Sequence, residues 1–229
     1  MIKDVFLDLD DTILDFQRAE REALAATLNQ MGVTPTPERV QRYHEINLKH
    51  WKMLERGEIT RERLLVRRFE VFFESVGVVA DADRTQRVYE YELGLRSYFI
   101  EGAKEMLDEL KAAGYRLYLA SNGTTVVQTP RIRAAALASY FDGIFLSEAI
   151  GCDKPSRAFF DACFAEIRDF SPEQAIILGD SLSSDIAGGC NAGIQTCWFH
   201  PAGTPPTGGI KPDHQIFALS EFLPLLKSL

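Results

Sequence analysis

Apolar and polar positions follow two rhythms along this chain. Short, nearly unbroken apolar runs recur at "IKDVFLDLD" (2–10), "YRLYLASNG" (115–123), "GIFLSE" (143–148), "QAIILGD" (174–180), "QTCWF" (195–199) and "HQIFAL" (214–219). Short apolar runs bounded by turn residues predict strands buried on both faces. Between them lie amphipathic stretches with helical spacing, at 101–114, from there after the second strand to about 138, and at 156–167, 183–193 and 220–228. Strand and helix in alternation predict an α/β fold, a Rossmann-like parallel sheet with helices on both faces.

One block breaks the alternation. Residues 16–96 hold no strand-like run, but four helical patterns, at 17–32, 38–57, 60–77 and about 81–96. Three of them end at a glycine (Gly32, Gly57, Gly77), the expected C-terminal signal. "PTPERV" and "TRERL" read as helix starts. The expected organisation is an α/β core domain of residues 1–15 and 97–229, with an inserted α-helical domain at 16–96. Pro130 falls inside a helical pattern. Either Thr129 caps a fresh helix with Pro130 at its first position, or one helix kinks there. "HPAGTPPTGGIKP" (200–212) reads as a loop.

Composition narrows the function classes. The 229 residues are 46% hydrophobic and 25% charged, with a net charge of -8. This acidity argues against a nucleic-acid partner, and an anionic ligand would need a local positive field. No apolar run is long enough to span a bilayer. The first strand begins almost at Met1, which leaves no space for a signal peptide, so a cytoplasmic protein is expected. Cys152, Cys163, Cys190 and Cys197 form no C-x-x-C pair and read as reduced thiols. His44 and His50 have the wrong spacing to share a helix face as zinc ligands.

The polar residues that remain gather at strand ends. The first strand runs into Asp8 and Asp10, and the second into Ser121, Asn122 and Gly123. Lys154 follows the third, and Asp180 and Asp185 follow the fourth. Each piece alone has an ordinary explanation: a solvated strand end, a turn, a surface lysine, a helix cap. Together they fall on one edge, the carboxyl edge of a parallel sheet, where ligands bind. At i and i+2, Asp8 and Asp10 can lean to the same side of a strand. Asp8, Asp180 and a backbone carbonyl would suit Mg²⁺, a hard cation that takes few protein oxygens and leaves the rest to water and phosphate.

"DLDDT" (8–12), a strand ending in Ser121, Lys154 and "GDSLSSD" (179–185) together resemble the haloacid dehalogenase-like superfamily of phosphotransferases, with its four signatures in order. The helical insert after the first signature resembles that superfamily's type-1 cap, and the short stretch between Ser121 and Lys154 leaves no space for the alternative cap site. The resemblance implies a role for each residue. Asp8 is the nucleophile that becomes an aspartyl-phosphate, and Asp10 the general acid and then base. Ser121, Asn122 and Lys154 hold phosphoryl oxygens. Asp180 binds Mg²⁺ with Asp8 and the Asp10 carbonyl, and Asp185 supports from behind. Asp10 favours phosphate chemistry over dehalogenation, which needs no protonated leaving oxygen.

A closer resemblance, carried by "NLKHWKMLERGEIT" (47–60), "RFEVFF" (68–73), "SNG" (121–123) and "SDIAGGCNAGIQTCWF" (184–199), is to the bacterial house-cleaning pyrimidine 5'-nucleotidases. It implies a nucleoside monophosphate as substrate. A sugar-phosphate or phosphoglycolate phosphatase is the alternative within the superfamily, and a catalytically silent phospholigand-binding protein the alternative outside it. Phe16, Tyr43, His44, Asn47 and Trp51 are the groups expected to hold a base or sugar. Tyr43, Asn47 and Trp51 recur at i, i+4 and share one helix face, a pattern that also suits plain packing of a helical core.

Overall fold

The computed structural model of the chain describes residues 1–203 and 209–229. The loop expected over 200–212 therefore lies partly outside the described residues. The chain divides into two compact units: Met1–Asp15 with Tyr98–Thr125 and Ile132–Leu229, and Phe16–Ser97 with Val126–Arg131.

The first unit is built on a parallel sheet. Its elements in chain order are β1 (Asp4–Leu7), then, after the helices of the second unit (α1, Phe16–Gln30; α2, Pro37–Glu55; α3, Arg61–Ser75; α4, Ala82–Gly94), α5 (Ala103–Ala112) and β2 (Arg116–Ser121). There follow α6 (Thr125–Ala134), whose residues 126–131 belong to the second unit, then β3 (Gly143–Leu146), α7 (Ser147–Ile150), α8 (Arg157–Ala165), β4 (Ala175–Gly179), α9 (Ala187–Ala192), β5 (Gln195–Phe199), β6 (His214–Ile216) and α10 (Phe222–Ser228). The six strands lie in the order β3-β2-β1-β4-β5-β6, every neighbouring pair parallel.

Side chains alternate across the sheet as the two-residue period requires. Val5, Leu7, Leu117, Leu119, Ile176 and Leu178 point into one apolar layer with Met106, Leu107 and Leu110 of α5 and Phe222 and Leu226 of α10. Phe6, Tyr118, Ala120 and Ile177 point into the other, against Phe159, Phe160 and Cys163 of α8. A strand buried on both faces has no polar alternation to show, and the runs read from sequence have that character. Asp4 is the exception at the start of β1: it is buried, and its carboxylate pairs with Arg116 at 2.6 Å.

The second unit is helical. Thr36, Thr60 and Asp81 cap α2, α3 and α4, each side chain accepting from the backbone N–H three residues on. Gly32 (φ 71°) and Gly57 (φ 70°) follow α1 and α2 in the left-handed conformation that stops a helix. Within the unit α1 packs on α4 and on α2, and α3 on α2 and on α4. The interior is aromatic, with Tyr43, Phe69, Phe72 and Tyr89 in ring contact. A chain of buried polar groups crosses it. Asn47 donates to Glu20 at 2.6 Å, and Arg68 donates to Asn47 at 2.6 Å and to Gln86 at 2.7 Å. The four helices each contribute one link.

Of the two readings of Pro130, the structure takes the single helix: α6 continues through it, and Thr129 does not cap a fresh one. One detail departs from expectation. The first strand stops at Leu7 instead of running on to Asp10. Beyond Asp8 the chain turns sharply: Ile13 and Leu14 both donate their N–H to Leu9 O, and Asp11 takes a φ of 56°. The turn sets the direction of Asp10, in place of the strand pleat that the i, i+2 reading assumed.

Candidate active site

The sheet order creates the site. From β1 the chain adds β2 and β3 on one side, then β4, β5 and β6 on the other, so the order reverses between β1 and β4. In an open parallel sheet the crevice outside the carboxyl ends at such a reversal is where ligands sit. Asp8 follows β1 directly and extends its ladder, its N–H donating to Leu178 O at 3.0 Å. Asp180 follows β4 directly.

Lys154 arrives from the segment after β3 and is buried, only 1% exposed. Its Nζ donates to Asp8 Oδ1 at 2.6 Å, to Asp185 Oδ1 at 2.7 Å and to Ala120 O at 2.6 Å. Three donors meet three acceptors, which fixes the ammonium completely. Asn122 holds the Lys154 backbone from both sides: its Nδ2 donates to Lys154 O, and Lys154 N–H donates to its Oδ1, both at 2.9 Å. Ser121 is buried at the end of β2, and its Oγ accepts from Gly123 N–H at 3.1 Å. Asp185 is buried in the short π-helical turn that precedes α9. Its Oδ2 accepts from Ser181 N–H at 3.0 Å.

Carboxylate oxygens of Asp8, Asp180 and Asp185 come within 4.8 Å of one another. Three carboxylates and one ammonium leave a surplus of negative charge in a buried place, and the titration behaviour reflects it. Burial, with Asp185 and Asp10 nearby, pushes Asp8 up to about 8 although Lys154 pulls the other way. Burial and the neighbouring Asp8 and Asp185 raise Asp180 well above the carboxylate range. Burial alone would lower Lys154, but Asp185 and Asp8 overcome it and hold the ammonium firmly charged.

An all-oxygen donor set with surplus negative charge fits a hard divalent cation such as Mg²⁺. Asp185 has one oxygen on Lys154 and the other on Ser181 N–H. Asp8 and Asp180 are therefore the side chains placed to hold such an ion, with Asp185 behind them.

The sequence points to Asp8, Asp10, Ser121, Asn122, Lys154, Asp180 and Asp185, and the first unit brings all of these to its carboxyl edge. For Asn122 the structure revises the expected contact: the side chain is occupied with the Lys154 backbone instead of presenting its amide to phosphate.

The base or sugar candidates lie in the second unit. Tyr43 is fully buried among Phe69 (5.0 Å), Phe72 (5.7 Å) and Tyr89 (5.5 Å), so the expectation that it meets a ligand is corrected: its ring is core. Asn47 is buried with both ends of its amide used inside the bundle. Phe16 and Trp51 are half-buried, with the guanidinium of Arg131 5.9 Å from the Phe16 ring and that of Arg61 5.6 Å from the Trp51 ring. His44 is partly exposed and its Nδ1 meets Glu20 Oε2 at 2.6 Å.

Two residues that sequence reasoning passed over matter here. Gly179 lies where any Cβ would fall 2.2 Å from Asp185 Cγ, so only glycine admits the Asp185 side chain. Its place just before Asp180 was the available signal. Trp198 donates its indole N–H to Asp180 O at 2.7 Å, and in sequence nothing separates it from an ordinary apolar strand residue.

Comparison with known proteins agrees with this geometry. Residues 5–199 match the family model described as haloacid dehalogenase-like hydrolase. The chain is 34% identical to the pyrimidine 5'-nucleotidase PynA of Streptococcus pneumoniae, over 98% of its own length and 94% of the relative's. It is 28% identical to the pyrimidine 5'-nucleotidase YjjG of Escherichia coli, over 97% and 96%. A solved structure of the HAD-hydrolase YfnB from Bacillus subtilis, bound to magnesium, superposes with a TM-score of 0.93 at 34% identity, covering 98% of each chain.

Proposed function

This chain belongs to the haloacid dehalogenase-like hydrolases, and from that membership we propose that it is a Mg²⁺-dependent phosphomonoesterase acting on nucleoside 5'-monophosphates, pyrimidine ones foremost, through a phosphoryl group carried on Asp8. The observation that carries the reading is the set of buried Asp8, Lys154 and Asp185 with half-buried Asp180 at the reversal of the sheet. The two nucleotidase relatives support the substrate class.

The roles follow from charge and position. An Asp8 carboxylate oxygen attacks phosphorus, the ester P–O bond breaks, and the leaving oxygen takes a proton from Asp10. Asp10 then takes a proton from water as the water oxygen attacks the same phosphorus. The Asp8–phosphorus bond breaks, and inorganic phosphate and nucleoside leave. Phosphoryl transfer is mostly positioning and charge neutralisation. Lys154, kept charged by Asp185, neutralises charge on the phosphoryl group through its field, and Ser121 orients the phosphoryl oxygens. Asn122 serves by holding the Lys154 backbone. When bound, Mg²⁺ supplies the positive charge that keeps Asp8 and Asp180 ionised and lets an anionic ester approach.

We assign the choice of ester to the inserted helices, residues 16–96, as a type-1 cap. The four cysteines are free thiols, which supports a reducing, cytoplasmic setting. Among the described residues no helix is long and apolar enough to cross a membrane.

The test is phosphate release from UMP, dUMP, dTMP, purine monophosphates, sugar phosphates and phosphoglycolate, with Mg²⁺ and with EDTA. Preferred release from pyrimidine monophosphates, abolished by EDTA and by Asp8→Asn in a normally folded variant, is the expected result. Release from sugar phosphates alone would discard the substrate and keep the mechanism. No release from any ester would overturn the reading in favour of a phospholigand-binding protein.

A further inference from the structure

The peptide group joining Asp180 to Ser181 is held at both ends by side chains. Its oxygen, Asp180 O, accepts from Trp198 Nε1 at 2.7 Å, and its N–H, on Ser181, donates to Asp185 Oδ2 at 3.0 Å. A peptide group is planar, so fixing its oxygen and its N–H fixes the plane and with it the backbone torsion that aims the Asp180 side chain.

Trp198 is well placed for this. It stands on β5 directly beside Gly179 in the parallel register and is 6% exposed. Its ring is itself restrained, lying on the His200 ring with centroids 4.0 Å apart and planes 3° from parallel. His200 is two residues on, where strand geometry puts a side chain on the same side, and its N–H donates to Ile216 O at 2.9 Å. An indole N–H is a donor only, and when buried it must find an acceptor. Of the acceptors near the end of β5, it takes the carbonyl of the residue whose carboxylate lies in the acidic cluster.

We propose that Trp198 is a positioning residue of the cation site: its indole N–H sets the direction of the Asp180 carboxylate, and the stacked His200 ring keeps the indole in that orientation. The proposal rests on the reading that Asp8 and Asp180 hold Mg²⁺. Side chains that orient a metal ligand from behind are commonly worth about ten- to a hundred-fold in metal affinity.

The experiment is calorimetric titration of Mg²⁺ into the whole chain, as wild type, Trp198→Phe and Phe199→Leu. Phe keeps an aromatic ring and removes the donor. Phe199 is the neighbouring strand residue and lies in the apolar core layer. The expected result is Mg²⁺ affinity weakened about ten-fold or more in Trp198→Phe and unchanged in Phe199→Leu. Wild-type affinity in Trp198→Phe, or an equal loss in Phe199→Leu, overturns the proposal. A second measurement covers the case in which Trp198→Phe does not fold. The chain has two tryptophans, so Trp51→Phe leaves Trp198 as the single indole emitter. Its emission should change on Mg²⁺ addition with the midpoint seen by calorimetry, and emission that ignores Mg²⁺ overturns the proposal. Absence of Mg²⁺ binding in the wild type would instead refute the cation-site reading beneath it.

Discussion

Lys154→Met removes the one cation from the buried carboxylate cluster while leaving a side chain of similar length. Lys154 Nζ lies 2.6 Å from Asp8 Oδ1 and 2.7 Å from Asp185 Oδ1, at 1% exposure. Removing one partner of a buried ion pair costs about 3–5 kcal/mol, because the other charge stays behind. The abandoned carboxylates have one escape, which is to take up a proton. From the ordinary value of 3.8, at about 1.36 kcal/mol per pH unit, that escape takes about 1.6 kcal/mol at pH 5 and about 5.7 kcal/mol at pH 8. Asp8, pushed up to about 8 by burial, already carries a proton at pH 5 in the wild type, so its side of the pair loses little there. The deficit should therefore be at most about 2 kcal/mol at pH 5 and the full ~3–5 kcal/mol at pH 8. The sign is consistent: the folded variant holds more carboxylate protons than the folded wild type, the lysine proton being absent from folded and unfolded variant alike, so its stability falls faster as pH rises. For a chain of this size about 2–4 °C accompanies each kcal/mol, which gives a midpoint deficit of about 6–20 °C at pH 8. Thermal melts in EDTA at the two pH values measure it. Equal deficits at pH 5 and pH 8, or less than about 1 kcal/mol at pH 8, would refute the reasoning.

Three further outcomes are expected. In EDTA the folded wild type keeps protons on Asp8 and Asp180 that the unfolded chain loses above pH ~4, so stability should fall as pH rises from ~4 towards ~8; saturating Mg²⁺ should remove that slope, and denaturant melts showing a flat or rising curve in EDTA would contradict it. Gly179→Ala puts a methyl group 2.2 Å from Asp185 Cγ and should cost at least about 1–3 kcal/mol together with Mg²⁺ affinity; a variant with wild-type melting and turnover would show that the Asp185 site has slack. Arg68→Met strips Asn47 and Gln86 of their buried donor, at about 1–3 kcal/mol each, so amide exchange should accelerate in α2–α4 and not in the sheet; unchanged protection in the helices would mean the polar chain adds nothing.

Much of the core was legible because its physics is local. A buried parallel strand is a plain apolar run, and where such a run meets Asp8, Ser121 or Asp180 the change of chemistry is visible in one glance along the chain. The edge they share follows from topology alone. What stayed hidden depends on chain segments far apart in sequence. The hold of Asn122 on Lys154 crosses from the end of β2 to the segment beyond β3, and Trp198 reaches Asp180 from a separate strand. Tyr43 misled for a different reason: an i, i+4 aromatic row marks a helix face but not what lies opposite it, and here that is Phe69, Phe72 and Tyr89. Residues 8–10 read as strand because Leu9 continues the apolar run of β1, although the chain turns there and Ile13 and Leu14 donate back to Leu9 O.

The place of β1 in the sheet also governs how the protein is made. Of the six strands of the sheet it leaves the ribosome first, yet its ladder partners Arg116–Leu119 and Ala175–Leu178 come much later, after the helical insert. At roughly 5–20 residues per second the wait for β4 is on the order of ten to thirty seconds. Throughout it an apolar strand has both edges open, the condition under which nascent chains stick to one another. Asp8, Asp10 and Asp11 stand at its end. Charges flanking an unavoidable apolar strand act as gatekeepers against such pairing. The same aspartates that crowd one another in the finished site thus guard the unfinished chain, and because Asp180 and Asp185 are supplied so late, no shorter nascent chain carries the complete cluster.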